Sequence, residues 1–235
     1  MKAALLLAAG LALAAGPVSA CRLALALALD VSSSVDDAEY RLQAEGLAAA
    51  LTDAEVMEAI LAPGDPVAIA VYEWSGRRQH VVTAPWTLLR GPEDIVALAD
   101  RLGAARRTHA DFPTALGHAL GFAARLFLSA PACDRRTVDV SGDGANNDGY
   151  EPVNAYNAFD LDDVTVNALV VGGVGRPSLV RYFQTLVIKG EDSFTELAED
   201  YADFGRAMRR KLIREVRPPM ILGAAGPHPP PRPLR

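Results

Sequence analysis

The chain has 235 residues, half of them hydrophobic, with 23 basic against 29 acidic residues and a formal net charge of -6. That length and apolar content suit one sizeable α/β domain with its own core and exclude a string of small modules. A mildly acidic balance gives no electrostatic footprint for nucleic acid or anionic lipid, and the basic residues that do cluster, Arg209, Arg210, Lys211 and Arg214, are expected on the solvated face of a helix.

Met1 and Lys2 are followed by an apolar stretch over residues 3–15 and then by Gly16, Pro17, Val18, Ser19 and Ala20. A short basic start, an apolar core and small residues before a cut predict a secretory signal peptide over residues 1–20, cleaved after Ala20. The stretch is short for a membrane span, and no later segment reaches spanning length. The expectation is an exported chain, periplasmic or secreted, with no transmembrane segment and one domain over residues 21–216. Its two cysteines, Cys21 and Cys133, each stand just before a predicted strand. If those strands are parallel neighbours their starting ends lie side by side, and a disulfide is geometrically reasonable. A rival reading takes Val18-Ser19-Ala20-Cys21 as a bacterial lipoprotein cleavage box, with a lipid on Cys21. The first strand begins at once and leaves no tether, which favours the disulfide.

Residues 22–30 form a near-continuous apolar run ending in Asp30. Such a run predicts a strand covered on both faces, as in parallel sheets. Ser34, Val35, Asp36 and Asp37 then open a helix to about Leu51, because a hydroxyl residue followed by acids is a start signal. Residues 63–66 make a turn, and residues 67–72 form a second buried strand running on to Trp74. Ser75-Gly76 turns the chain, and residues 80–83 are an edge strand against it. Residues 91–94 cap a helix to about Leu102, and Pro113-Thr114 opens another through Phe127. The fourth strand covers residues 137–140 and leads into Ser141-Gly142-Asp143-Gly144 and a polar loop over residues 145–149. A helix over 154–159, a fifth strand over 164–171 and helices over 177–186 and 201–216 complete the pattern. From Arg217 the tail is rich in Pro, Gly and Ala and cannot bury a core, so residues 217–235 are expected to be disordered. Alternating strands and helices predict a doubly wound, mostly parallel sheet with helices on both faces and one antiparallel edge strand. Ligands of such sheets sit beyond the carboxyl ends of the strands, where the strand order reverses.

Two carboxylates stand out because each follows a strongly apolar strand: Asp30 after the first and Asp143 after the fourth. Both therefore belong to the same rim. Ser32 and Ser34 follow Asp30 at alternate positions, and in an extended turn alternate side chains face one way. One carboxylate and two hydroxyls thus converge on a point. All are hard oxygen donors, and this charge suits Mg²⁺, with Mn²⁺ or Ca²⁺ as alternatives.

Asp30-Val31-Ser32-Ser33-Ser34 at the end of an apolar strand resembles the metal ion-dependent adhesion site of von Willebrand factor type A domains. In that site a second loop supplies a threonine at the start of a helix, matched by Thr114-Ala115-Leu116-Gly117-His118-Ala119-Leu120. A third supplies an aspartate before glycine, matched by Asp143-Gly144. The resemblance covers nearly the whole mature chain. It is closer still to a family of secreted bacterial proteins with this domain, through Tyr72-Glu73-Trp74-Ser75-Gly76, Pro85-Trp86-Thr87, Asp139-Val140-Ser141-Gly142-Asp143-Gly144 and Asn146-Asn147; no established function comes with it. The resemblance implies direct coordination by Ser32, Ser34 and, in one state, Thr114, with Asp30 and Asp143 acting largely through waters. The open position would take a carboxylate from a protein or peptide partner. The chain departs from the pattern before Thr114, where glycines are usual and Arg106-Arg107-Thr108-His109-Ala110-Asp111-Phe112-Pro113 stands instead. Thr108 is therefore a rival ligand and Asp111 an added charge; Thr114 is preferred because it opens the helix in the right frame.

Bland readings stand beside these. Asp30 could be a helix cap with Ser32 and Ser34 as turn residues. Asp139 reads as a strand residue on another face, Asn146, Asn147 and Asp148 as a polar turn without calcium-loop spacing, and Trp74 and Trp86 as packing residues. His118 reads as structural, and none of His80, His109, His118 and His228 is paired at a zinc-ligand spacing. The function expected is a metal-dependent binding module rather than an enzyme. A metal-dependent envelope hydrolase is one alternative, although no general base or nucleophile accompanies the donors. A structural envelope protein with an unused site is the other.

Overall fold

The first strand, β1 (Leu23–Asp30), is buried along its whole length. Leu25, Leu27 and Leu29 enter one core and Ala24, Ala26 and Ala28 the other. A strand apolar on both faces must lie at the centre of a sheet with helices on each side. In the computed structural model, which describes residues 21–217, β1 is indeed central. β2 (Val67–Trp74) pairs with it in parallel on one side and β4 (Arg136–Gly142) on the other. β5 (Val164–Val171) and β6 (Thr195–Ala198) extend the sheet in parallel, and β3 (His80–Leu89) closes the opposite edge antiparallel to β2. The order β3-β2-β1-β4-β5-β6 reverses direction between β1 and β4, as a doubly wound sheet requires.

Helices α1 (Asp37–Leu51), α2 (Ala54–Leu61), α3 (Pro92–Gly103) and α7 (Phe204–Val216) cover the leucine face of β1. Helices α4 (Leu116–Phe127), α5 (Pro152–Ala158) and α6 (Pro177–Tyr182) cover the alanine face. The small alanines leave room there for Tyr72 and Trp74, both fully buried. Cys21 is bonded to Cys133, so the first and fourth strands are tied at their starting ends as expected. The lipid reading of Cys21 requires the thiol that this bridge consumes. Among the described residues no helix is long and apolar enough to cross a membrane. The expected signal peptide and residues 218–235 of the expected tail lie outside the described residues.

Several expectations are corrected. The first helix starts at Asp37 and its cap is Asp36, whose carboxylate accepts from the backbone N–H of Ala38 and Glu39 while Glu39 accepts from the N–H of Asp36. Ser34, two residues earlier, is free for other work. The fourth helix starts at Leu116, with Thr114 just outside it. The edge strand β3 runs to Leu89, the helix after β5 ends in a π turn over Phe183–Val187, and the closing helix begins at Phe204. Helix α2 and strand β6 were not foreseen. Lys211 is not on a solvated face: it is fully buried, with its Nζ 2.8 Å from Asp139 Oδ1 and 2.6 Å from Glu215 Oε1. Asp139 does point away from the rim, into this network.

Candidate metal centre

The site grows out of three loops at the β1–β4 switch point, two of them strand-to-helix loops after β1 and β4 and the other the connection between α3 and α4. The first follows β1. Asp30 is fully buried; its Oδ1 accepts from the Ser32 N–H at 2.8 Å, which curls the chain just after the strand. Gln43 of α1 donates to the Asp30 carbonyl at 3.1 Å and fixes the strand end against the helix. Ser32 is buried and Ser34 exposed, and their Oγ atoms lie 3.2 Å apart.

The second loop brings Thr114. Its Oγ1 donates to Ser32 Oγ at 3.2 Å. The third brings Asp143, whose Oδ1 accepts from Ser34 Oγ at 2.7 Å. Thr114, Ser32, Ser34 and Asp143 therefore form one continuous row of oxygens with Asp30 beside it, and all five residues expected at the rim come together. Gly142 permits the approach of β4, since a Cβ there would lie 3.2 Å from Asp30 Oδ2. Gly117 does the same for α4, where a Cβ would stand 2.0 Å from the Tyr150 carbonyl oxygen of the third loop.

Electrostatically the row is unbalanced. Burial, and then the charge of Asp143, push the Asp30 carboxyl up to about 7. Its Oδ2 is buried with no hydrogen-bond partner, and so is the indole N–H of Trp74, the residue in register with Asp30 on β2. A buried carboxylate oxygen without a partner is costly. A cation beside it would offset that cost and the repulsion from Asp143, so the residues fit a divalent ion. Among the described residues no group of three or more His, Cys, Asp or Glu side chains is placed to hold a metal. An ion at this rim would depend on hydroxyl oxygens.

Three parts of the surroundings were not anticipated. Asn147, read as a turn residue, accepts from the Thr114 N–H at 2.9 Å through Oδ1 and donates its own N–H to the Thr114 carbonyl at 2.9 Å. Asn146 Oδ1 accepts from the Gly117 N–H at 3.3 Å, serving the start of α4, where Ala115 has no capping side chain. Arg176 donates to the Asp143 carbonyl at 2.8 Å and to the Val171 carbonyl at 2.8 Å. The Asn146-Asn147 pair, one residue after Asp143-Gly144, was the one signal available for this. Thr108, the rival ligand, is occupied elsewhere: its hydroxyl donates to Glu73 Oε2 at 3.1 Å. Asp111 is exposed. His118 stacks on Tyr150 with ring centroids 3.9 Å apart, while Trp74 is fully buried and Trp86 donates to the Leu126 carbonyl at 3.0 Å beside Phe127. These three pack as expected.

The family described as Protein of unknown function (DUF1194) matches residues 20–220, a span that includes the whole sheet and all three loops. The chain belongs to that family. No curated protein sequence matches it. Among solved structures, the DUF1194 chain is similar to von Willebrand factor type A from Catenulispora acidiphila, at 18% identity and a TM-score of 0.57, covering 83% of this chain and 43% of that one. It is also similar to proximal thread matrix protein 1 from the mussel byssus with a zinc-occupied MIDAS motif, at 17% identity and a TM-score of 0.58, covering 84% and 46%. A third is the PilB minor pilin from Streptococcus sanguinis, at 12% identity and a TM-score of 0.57, covering 86% and 63%. The DUF1194 chain thus spans less than half the length of the first two and under two thirds of the third. At these identities the likeness establishes the fold, which is von Willebrand factor A-like.

Proposed function

We propose that this chain is an exported binding module that uses a divalent cation at the β1–β4 rim to grip an acidic group on a protein partner. Ser32, Ser34 and Thr114 would supply neutral hydroxyl oxygens, and Asp30 and Asp143 the negative charge. A hard donor set of this kind favours Mg²⁺, with Mn²⁺ or Ca²⁺ as substitutes. The three hydroxyls do not fill the coordination sphere of such an ion, and Ser34 is open to solvent. A carboxylate from outside is then the natural complement, adding a hard oxygen donor at the open side.

The observation that carries this reading is the row of hydroxyl and carboxylate oxygens from three loops beside the buried, unpartnered Oδ2 of Asp30. A plain helix cap accounts for none of it, because α1 is capped by Asp36. The zinc-occupied MIDAS motif of the mussel protein supports a divalent ion at the corresponding rim. The cysteine bridge and the apolar leader support export.

Isothermal titration with Mn²⁺ and Mg²⁺ on wild type and Asp30→Ala tests the ion, and capture from envelope extract in Mg²⁺ or in chelator tests the partner. The expected result is ion binding lost in Asp30→Ala and a partner retained only in Mg²⁺. No binding by wild type at millimolar ion, or equal recovery in chelator, refutes the reading.

A further inference from the structure

The second loop departs from the pattern its resemblance implies, and the residues responsible are not idle. Arg107 stands where small residues are usual, and its side chain is only 10% exposed. Its Nη2 donates to the carbonyls of Val31 at 3.0 Å and Ser32 at 2.9 Å, and more loosely to that of Ala110 at 3.3 Å. The first two are the backbone carbonyls inside the ion-binding segment that follows Asp30. The same loop returns to that segment through the Ser33 N–H, which donates to the Phe112 carbonyl at 2.8 Å.

Arg107 is itself seated from behind. Its neighbour Thr108 donates to Glu73 Oε2 at 3.1 Å, and Tyr40 of α1 donates to Glu73 Oε1 at 2.6 Å. Glu73 lies at the carboxyl end of β2 and is 2% exposed. A buried carboxylate with both oxygens satisfied makes a firm anchor. Sheet, α1 and second loop are thereby locked together next to the first loop. With the Val31 and Ser32 carbonyls committed to one guanidinium, the oxygens this loop can still offer at the rim are the hydroxyls of Ser32 and Ser34.

We infer that Arg107 is a positioning residue for the ion: latched through Thr108 to Glu73, it holds the Val31–Ser32 backbone in the arrangement that lets Ser32 and Ser34 bind a cation, without touching the cation itself. The inference rests on the divalent-ion reading above. A planar fork suits two carbonyls better than an ammonium does, so lysine at position 107 keeps the charge and loses the geometry. Alanine at this position also removes a positive charge from beside a cation site, which by itself would strengthen ion binding. A weakened affinity would therefore report positioning and not charge.

The test is the Mn²⁺ dissociation constant, by isothermal titration, of wild type, Arg107→Ala, Arg107→Lys and Thr108→Val, with unfolding midpoints measured alongside. Glu215→Gln serves as a control, since it alters buried packing at a distance from the rim. Arg107→Ala is expected to weaken Mn²⁺ binding at least tenfold, Arg107→Lys and Thr108→Val several-fold, and Glu215→Gln not at all. Should Arg107→Ala fail to fold, the lysine and valine variants carry the test. Wild-type Mn²⁺ affinity in all the folded Arg107 and Thr108 variants overturns the inference and leaves the ion reading intact. Absence of binding in wild type overturns the ion reading, and the inference with it.

Discussion

Ser34 Oγ donates to Asp143 Oδ1 at 2.7 Å across 109 residues of sequence. That bond closes the row of oxygens, and it joins the loops after the two strands on either side of the switch point. If an ion uses this row, removing either end should abolish its effect on stability. At a free ion concentration one hundred times the dissociation constant, binding adds about 2.7 kcal/mol, or about 5–10 °C in unfolding midpoint for a domain of this size. Ser34→Ala and Asp143→Ala are expected to lose that shift in Mg²⁺ and Mn²⁺. Thermal scans with and without ion decide it.

Asp30→Asn should separate the ion from the fold. The amide keeps the shape and removes a buried charge that burial and Asp143 disfavour. Metal-free Asp30→Asn is therefore expected to be as stable as wild type or up to ~2 kcal/mol more stable, yet to give no response to Mn²⁺. A strong loss of stability together with a retained response would contradict the placement of charge at this site.

The network beneath α7 makes an opposite prediction. Lys211 lies between Asp139 and Glu215, with all three side chains essentially unexposed. Burial, and then Glu215, push the Asp139 carboxyl well above the usual carboxylate range, and Lys211 opposes that shift. Lys211→Met leaves this acidic pair without its cation and should cost about 3–5 kcal/mol. Adding Asp139→Asn and Glu215→Gln to it should recover most of the loss. Urea unfolding measures both, and ion affinity should not change.

The Cys21–Cys133 bridge closes a loop of 112 residues. Chain-entropy arguments put its contribution at about 3–5 kcal/mol. Replacing both cysteines by alanine should lower the urea midpoint accordingly and leave Mn²⁺ affinity within about twofold. A double-alanine protein as stable as wild type would show that the bridge constrains nothing.

His80 gives the pH dependence. Its ring stacks on Phe122 with centroids 4.9 Å apart, and its Nε2 is buried without a partner. Burial first, then Arg125 and His118, push it down to about 4. Between pH 4 and the ordinary value near 6.5 the unfolded chain then binds more protons than the folded one. Stability from this residue is complete above about pH 6.5 and is lost as pH falls through 4. His80→Phe should flatten that part of the profile relative to wild type, as read from unfolding midpoints between pH 4 and 7.

The central strands, the helices that flank them and Asp30, Ser32, Ser34 and Asp143 were legible because their signals are local, whereas Thr114 was reached through the family resemblance. An apolar run buried on both faces, an acid after a hydroxyl, and Asp-x-Ser-x-Ser need only neighbours a few positions away. Strand β6 was not legible: Thr195–Ala198 is four residues long and has no apolar alternation, so its pairing with β5 alone makes it a strand. Helix α2 was obscured because Asp53, its cap, follows the end of α1 by two residues.

By itself, the sequence determined a doubly wound sheet and the rim at which Asp30, Ser32, Ser34 and Asp143 arrive, and the family resemblance added Thr114. Tertiary structure decided what each flexible side chain does on arrival. Lys211 looked like one more solvated cation until α7 laid it over Asp139. Thr108 was a candidate ligand until Glu73 took its hydroxyl, and Arg107 was an oddity until it met the Val31 and Ser32 carbonyls some 75 positions away. A long side chain takes whichever partner burial leaves unsatisfied, and that partner is set by the packing of distant segments.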